Sequence, residues 1–149
     1  MAYGPELTIT FPGGKRVDAE FSGRLISTDQ SRAAGGEGSA PEPFSLFLAS
    51  IGTCAGIYVL SFCQARNLPT EGIRLTQRPD FDPATRALSL VHLDIHVPPS
   101  FPAKYRDALV RAADGCAVKK AIQAQPEFSV RTVVDDESRV ESLQSNAGS

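Results

Sequence analysis

No cluster of lysines or arginines occurs anywhere in the chain, and the formal net charge is only −2. Such a balance offers no field to hold nucleic acid or an anionic membrane surface, so neither is expected as a partner. The start, Met1 to Thr10, lacks a basic stretch followed by an apolar one. No secretory signal is therefore expected, and the cytoplasm is the default location. Cysteine is scarce. Cys54, Cys63 and Cys116 form an odd set, too small for a disulfide scaffold, and a chain of 149 residues can bury a core without one. In a reducing compartment such cysteines are either inert core residues or chemically employed ones. The commoner catalytic signatures are missing as well. There is no P-loop, no dinucleotide fingerprint and no Ser-His-Asp order, and Gly35, Gly36 and Gly38 precede no Lys-Ser/Thr pair. No cofactor and no internal repeat is expected. With 42% hydrophobic and 21% charged residues, the composition fits one soluble globular domain over 1–135. A polar, disordered tail is expected over 136–149.

What is present alternates. Leu7 to Phe11 and Val17 to Phe21 switch between apolar and polar residues at a period of two, and Arg24 to Thr28 follows after Ser22-Gly23. Three short strands joined by tight turns predict an antiparallel meander. Ser31 to Pro43 is a polar loop rich in glycine and proline, too long to be a mere connection. Ile73 to Arg78 predicts a fourth strand, Asp80 to Thr85 a turn, and Leu88 to Val97 a long fifth strand. In that strand Val91, Leu93, Ile95 and Val97 share one face, and His92, Asp94 and His96 share the other. Helical spacing covers Pro102 to Ala113, and a short helix is predicted from Cys116 to Ala124. Phe128, Val130, Thr132 and Val134 alternate as a last strand.

Between Pro43 and Ala65 there is no charged residue at all. By length and apolarity this stretch is nominally a membrane span. Ser45, Ser50, Gly52, Thr53, Gly56 and Ser61 dilute it, and neither a second span nor flanking Lys/Arg asymmetry accompanies it. It reads instead as a helix buried on every side, and in so small a chain that burial implies a second subunit.

Two constellations could carry chemistry. Cys54 and Cys63 lie on the same predicted helix, on opposite faces and about 13 Å apart along its axis, so they cannot pair with each other. Cys63 reads as a core or surface residue. Cys116 opens a short helix, where backbone N–H groups would favour its thiolate. Gly52, Thr53, Ala55 and Gly56 leave space around Cys54, although the same small residues would serve tight helix packing. The second constellation, His92-x-Asp94-x-His96, could ligate a metal ion, but these are simply the solvent-side positions of an amphipathic strand, and no metal is expected.

The segment Gly36-x-Gly38-Ser39-Ala40-Pro41-x-Pro43-Phe44-x-Leu46-Phe47-Leu48-Ala49-Ser50-Ile51-Gly52-Thr53-Cys54 resembles the OsmC/Ohr family pattern. There a glycine-bearing loop and a proline open a central helix that carries a reactive cysteine. Ala112-Ala113-Asp114-Gly115-Cys116-Ala117-Val118 resembles the segment holding the second cysteine. The resemblance spans roughly residues 6 to 135. It implies an α+β, OsmC-like fold: two antiparallel β-sheets around long central helices, assembled as an intertwined homodimer. It implies a two-cysteine thiol peroxidase acting on small hydrophobic hydroperoxides. Cys54 would form a sulfenic acid, Cys116 would condense with it, and an external dithiol would reduce the pair. Phe44, Phe47 and Tyr58 are expected as apolar walls. The chain departs from the pattern at one point. Members with strong peroxidase activity carry a glutamate nine or ten residues before the reactive cysteine, and here those positions are Ser45 and Phe44. The nearest acid is Glu42, and Arg16, with Lys15 as substitute, is the candidate for the basic group that supports the thiolate. The rival expectation is a binding module in which the same cleft holds a small ligand or a thiol adduct without turnover.

Overall fold

The computed structural model of the chain describes residues 4–136. Apart from Asp136, the tail expected over 136–149 lies outside the described residues.

Chain alternation gives the first sheet as expected. Strands β1 (Thr8–Gly13), β2 (Arg16–Phe21) and β3 (Arg24–Thr28) pair antiparallel in the order β1-β2-β3. Ile9 faces Ala19 and Ala19 faces Ile26, so these three apolar residues fall on one side of the sheet. A loop with one short 3₁₀ turn (Arg32–Ala34) leads to α1, Pro43–Ala65. Pro43 occupies the first helical position, where its missing N–H would have had no partner anyway. Strands β4 (Arg74–Phe81) and β5 (Leu88–His96) form a second antiparallel sheet, and α2 (Arg106–Asp114) and α3 (Ala117–Gln123) complete the described elements.

The core gathers where α1 meets α2 and the β4–β5 sheet. Val59, Phe62, Cys63, Phe101 and Leu109 are buried together, with Leu75 and Ile95 from the sheet packed against them. Along α1 the buried residues are Ile51, Ala55, Val59, Phe62 and Cys63, a single stripe at helical spacing.

Two expectations are corrected. Strand β4 continues to Phe81, three residues past the expected end, because Asp82 and not Asp80 makes the turn: its side chain accepts from the N–H groups of Ala84 and Thr85. Within one chain α1 leaves Phe44, Ile57 and Tyr58 exposed; its burial on every side was expected only with a second subunit. The last strand is not formed among the described residues. Phe128, Val130 and Val134 are 89%, 94% and 92% exposed. Their alternation is that of a strand, but a strand exists only through the hydrogen bonds of a neighbour, and no strand among the described residues pairs with them.

Candidate active site

Cys54 sits near the middle of α1, half-buried, on the side of the helix turned towards α3. A single turn decides what it meets there. Gly115 ends α2, its N–H bonded to the Ala112 carbonyl, and Cys116 follows as the capping residue of α3, 2% exposed. The Cys116 thiol donates towards the Ile51 carbonyl of α1 at 4.0 Å and lies beside the Cys54 sulfur. All three cysteines are free thiols.

The first backbone N–H groups of α3 are where the structure departs most usefully from expectation. They do not serve Cys116, the residue at the helix start. Those of Val118 and Ala117 point at the Cys54 sulfur. The Val118 N–H, the Cys116 thiol and the Ala117 N–H hold the Cys54 thiol below the ordinary 9.0, against the opposing effect of partial burial. Cys63 has the opposite environment. It is 0% exposed, and burial pushes its thiol up, with Arg66 opposing only weakly. The two thiols thus lie in opposite environments, one lowered and one raised.

The apolar candidates are arranged around this pair. At about 100° per residue, Phe47, Cys54 and Tyr58 share one stripe of α1. The Tyr58 ring lies against Gly115, 3.6 Å from where a β-carbon on that residue would be. Phe44 stacks on Phe47 and on Phe81 of β4, with centroids 5.4 and 6.1 Å apart. Beside this pair a cavity of about 690 Å³ opens between α1 and β5, with Ile51, Ala55, Leu93, Val110, Cys116 and Ile122 in its walls.

The charged candidates make contacts of their own. Arg16 makes a loose ion pair with Asp18, 3.8 Å away and on the same strand. The other Asp18 oxygen is buried without a hydrogen-bond partner among the described residues. Glu42 stands at the start of α1 but does not cap it; its carboxylate accepts from the Ser31 N–H at 3.0 Å and so ties together the two ends of the loop. Lys15 runs along the same loop beside Gly35. On the β4–β5 face His92 bonds Asp80 at 2.7 Å and His96 bonds Thr76 at 2.9 Å, and no group of three metal-ligating side chains occurs among the described residues.

One residue at this site escaped the sequence reading. Gln77 of β4 points inward and donates its amide N–H to the Leu48 carbonyl of α1 at 2.9 Å. A signal existed: Ile73, Leu75, Gln77 and Pro79 alternate inward, and Gln77 alone breaks the apolar set.

Similar structures were found for most of the chain. A detoxification-response protein from Psychrobacter arcticus, described as putative and osmotic-stress-induced, superposes with a TM-score of 0.68 at 21% identity, over 81% of this chain and 90% of that one. An organic hydroperoxide resistance protein OsmC from Legionella pneumophila gives 0.55 at 20% identity, over 83% and 91%. A Vibrio cholerae protein of the organic hydroperoxide resistance kind, with captopril in one of its active sites, gives 0.54 at 15% identity, over 84% and 89%. At these identities the likeness establishes the fold. No curated protein matches by sequence. The family model for OsmC-like proteins matches residues 36–131, from the loop before α1 through both cysteine segments and beyond α3. The chain belongs to the OsmC-like protein family, and its α+β arrangement of two small antiparallel sheets and helices is the fold of that family.

Proposed function

We propose that the protein reduces organic, preferably hydrophobic, hydroperoxides with Cys54 and Cys116 as its working pair. The observation that carries this reading is the set of three hydrogen-bonding groups at the Cys54 sulfur, one of them the Cys116 thiol itself. Hydrogen bonds to the charged form favour the thiolate, and the thiolate is the nucleophile. It attacks the distal oxygen of the hydroperoxide, the O–O bond breaks, and the alkoxide leaves as an alcohol after taking a proton. Cys54 is then a sulfenic acid. The Cys116 sulfur displaces water from it, forming a disulfide, and an external dithiol restores both thiols by two exchanges. Such a cycle belongs in a compartment that keeps thiols reduced, which supports the cytoplasm. Stress defence against peroxides is the coarse role this reading gives the protein; two of the relatives named above are described as organic hydroperoxide resistance proteins.

In this reading Phe47 and Tyr58, with Phe44 beyond them, form the apolar wall along which a hydrophobic substrate approaches. Arg16 is the candidate cation for the developing charge; it is half-exposed and only loosely held by Asp18. Glu42 acts at one remove, by holding the loop that leads into α1. Residues 1–135 work as one unit, and two such units form a homodimer. The exposed apolar residues of the first sheet, Ile9, Phe11 and Leu25, together with Phe128, Val130 and Val134, support the pairing.

One equivalent of cumene hydroperoxide added to reduced protein tests the reading. Two thiols should be lost and an intramolecular Cys54–Cys116 bond formed, with Cys63 still free. Cys116→Ser should stop at the sulfenic acid, and Cys54→Ser should consume no peroxide. A second reading, a module that holds a small thiol or its adduct without turnover, is favoured by the absence of a carboxylate at positions 44 and 45 and by the captopril in the Vibrio cholerae relative. Thiols untouched by the hydroperoxide over many minutes would leave that reading standing alone.

A further inference from the structure

The turn of α1 that ends at Cys54 is gripped from two sides. On one side Cys116 lies at the Ile51 carbonyl and on the Cys54 sulfur. On the other, Gln77 reaches out of the β4–β5 sheet to the Leu48 carbonyl. The Gln77 amide has room only because residue 52 is glycine. A β-carbon there would lie 2.6 Å from the Gln77 Oε1, far inside contact distance. Gly52 and Cys54 stand about 160° apart around the helix, so the two grips oppose each other across its axis.

Nothing else in α1 fixes its rotation with the same precision. The helix has no charged residue from Pro43 to Ala65, and its buried stripe makes apolar contacts, which have no preferred direction. Hydrogen bonds do have one. Gln77 is moreover a polar side chain on an otherwise apolar face, between Leu75 and Pro79 and opposite Leu93. A leucine there would bury more apolar surface and need no partner.

We propose that Gln77 is a positioning residue: its amide, bonded to the Leu48 carbonyl and lodged in the notch left by Gly52, sets the rotation of α1 that holds the Cys54 sulfur against Cys116 and the start of α3. With the sulfur roughly 4 Å from the helix axis, a rotation of about 15° moves it by about 1 Å, and a misplacement of that size costs on the order of 100-fold in a reaction that depends on alignment. The inference rests on the reading of Cys54 and Cys116 as the working pair, but its test needs no hydroperoxide.

Diamide closes a dithiol directly, accepting the two electrons and two protons released as the sulfur–sulfur bond forms. In Gln77→Met, which keeps the length of the side chain and loses the donor, closure of Cys54–Cys116 by diamide should slow at least about tenfold. The pH midpoint for alkylation of Cys54, followed by mass spectrometry of its own peptide, should rise towards that of an ordinary thiol. Gly52→Ala, which evicts the amide while favouring the helix, should do the same. A residue that merely packs would lower the melting temperature and leave both readings in place. Folded Gln77→Met with the wild-type closure rate and midpoint overturns the proposal. Should that variant not fold, Gly52→Ala decides by the same two readings. Failure of the wild-type protein to consume hydroperoxide would bear on the peroxidase reading alone.

Discussion

At the scale of single residues, the site is a matter of which sulfur the backbone of α3 addresses. Ala117 allows a direct test. It is the first residue of α3, and the Cys116 before it has ψ 126°, an extended conformation that a following proline accepts. Ala117→Pro therefore removes one N–H from the Cys54 sulfur and leaves the helix standing. The alkylation midpoint of Cys54 should rise, and its reactivity at pH 7 should fall because less of it is thiolate. An unmoved midpoint in a folded variant would mean that the α3 backbone does not stabilise the thiolate. Both cysteines were legible in the sequence, and so was the helix start at Cys116. Which sulfur that helix start would favour was not, because its N–H groups act on whatever lies beyond the end, and Cys54 comes there from sixty-two positions away. Glu42 could not be read correctly for a similar reason. Its neighbour in sequence is Pro43, but its partner is Ser31, across the whole loop.

At the scale of elements, the loop between β3 and α1 is held from its first residue. Asp29 is fully buried; it accepts from the Ser39 hydroxyl at 2.6 Å, the Ser39 N–H at 3.0 Å and the Gln30 N–H at 2.7 Å. The Ser39 side chain, with these backbone groups, holds the Asp29 carboxyl at about 2, below the ordinary 3.8. A carboxyl lowered on folding stabilises the fold fully above its ordinary value, and that contribution is lost as the pH falls through the folded one. Stability should therefore decline as the pH falls from about 4 towards 2. Asp80 and Asp82, also lowered, by His92 and by the Thr85 N–H respectively, add to the same decline. In Asp29→Asn the melting temperature should be lower at pH 6 and fall less between pH 5 and pH 2. An acid profile parallel to that of the wild type would remove Asp29 from the account. The elements themselves were largely legible: β1, β2 and β5 follow from periodicity, β3 from the turn before it, and α1 from its long uncharged, apolar run. The purpose of the loop was not legible. Glycine and proline announce a loop over Ser31 to Pro43, but the aspartate that organises it, Asp29, stands just outside that stretch. The alternation from Phe128 to Val134 was legible as well, but a pattern cannot supply the neighbour that a strand requires.

For the molecule as a whole, the apolar residues left bare are as informative as those buried. The first sheet and the last described segment expose large side chains that a stable protein ordinarily covers. At micromolar concentration the particle should have twice the mass of the 15.9 kDa chain in sedimentation or light scattering. Replacing Phe11 and Phe128 together by serine should shift it towards one chain. A wild-type protein that stays at a single chain's mass would refute the homodimer. Such a protein would also leave the exposed faces without an explanation. The fully buried thiol at Cys63 has a consequence of a different kind. Packed among Val59, Phe62, Phe101 and Leu109, it can be reached by a reagent only when that cluster comes apart. Its labelling rate in native buffer is therefore a clock for the opening of the core, and it runs in the same tube, with the same reagent, as the faster reaction expected at Cys54. Each molecule thus carries its own internal standard: a quick thiol that times the chemistry and a slow one that times the fold.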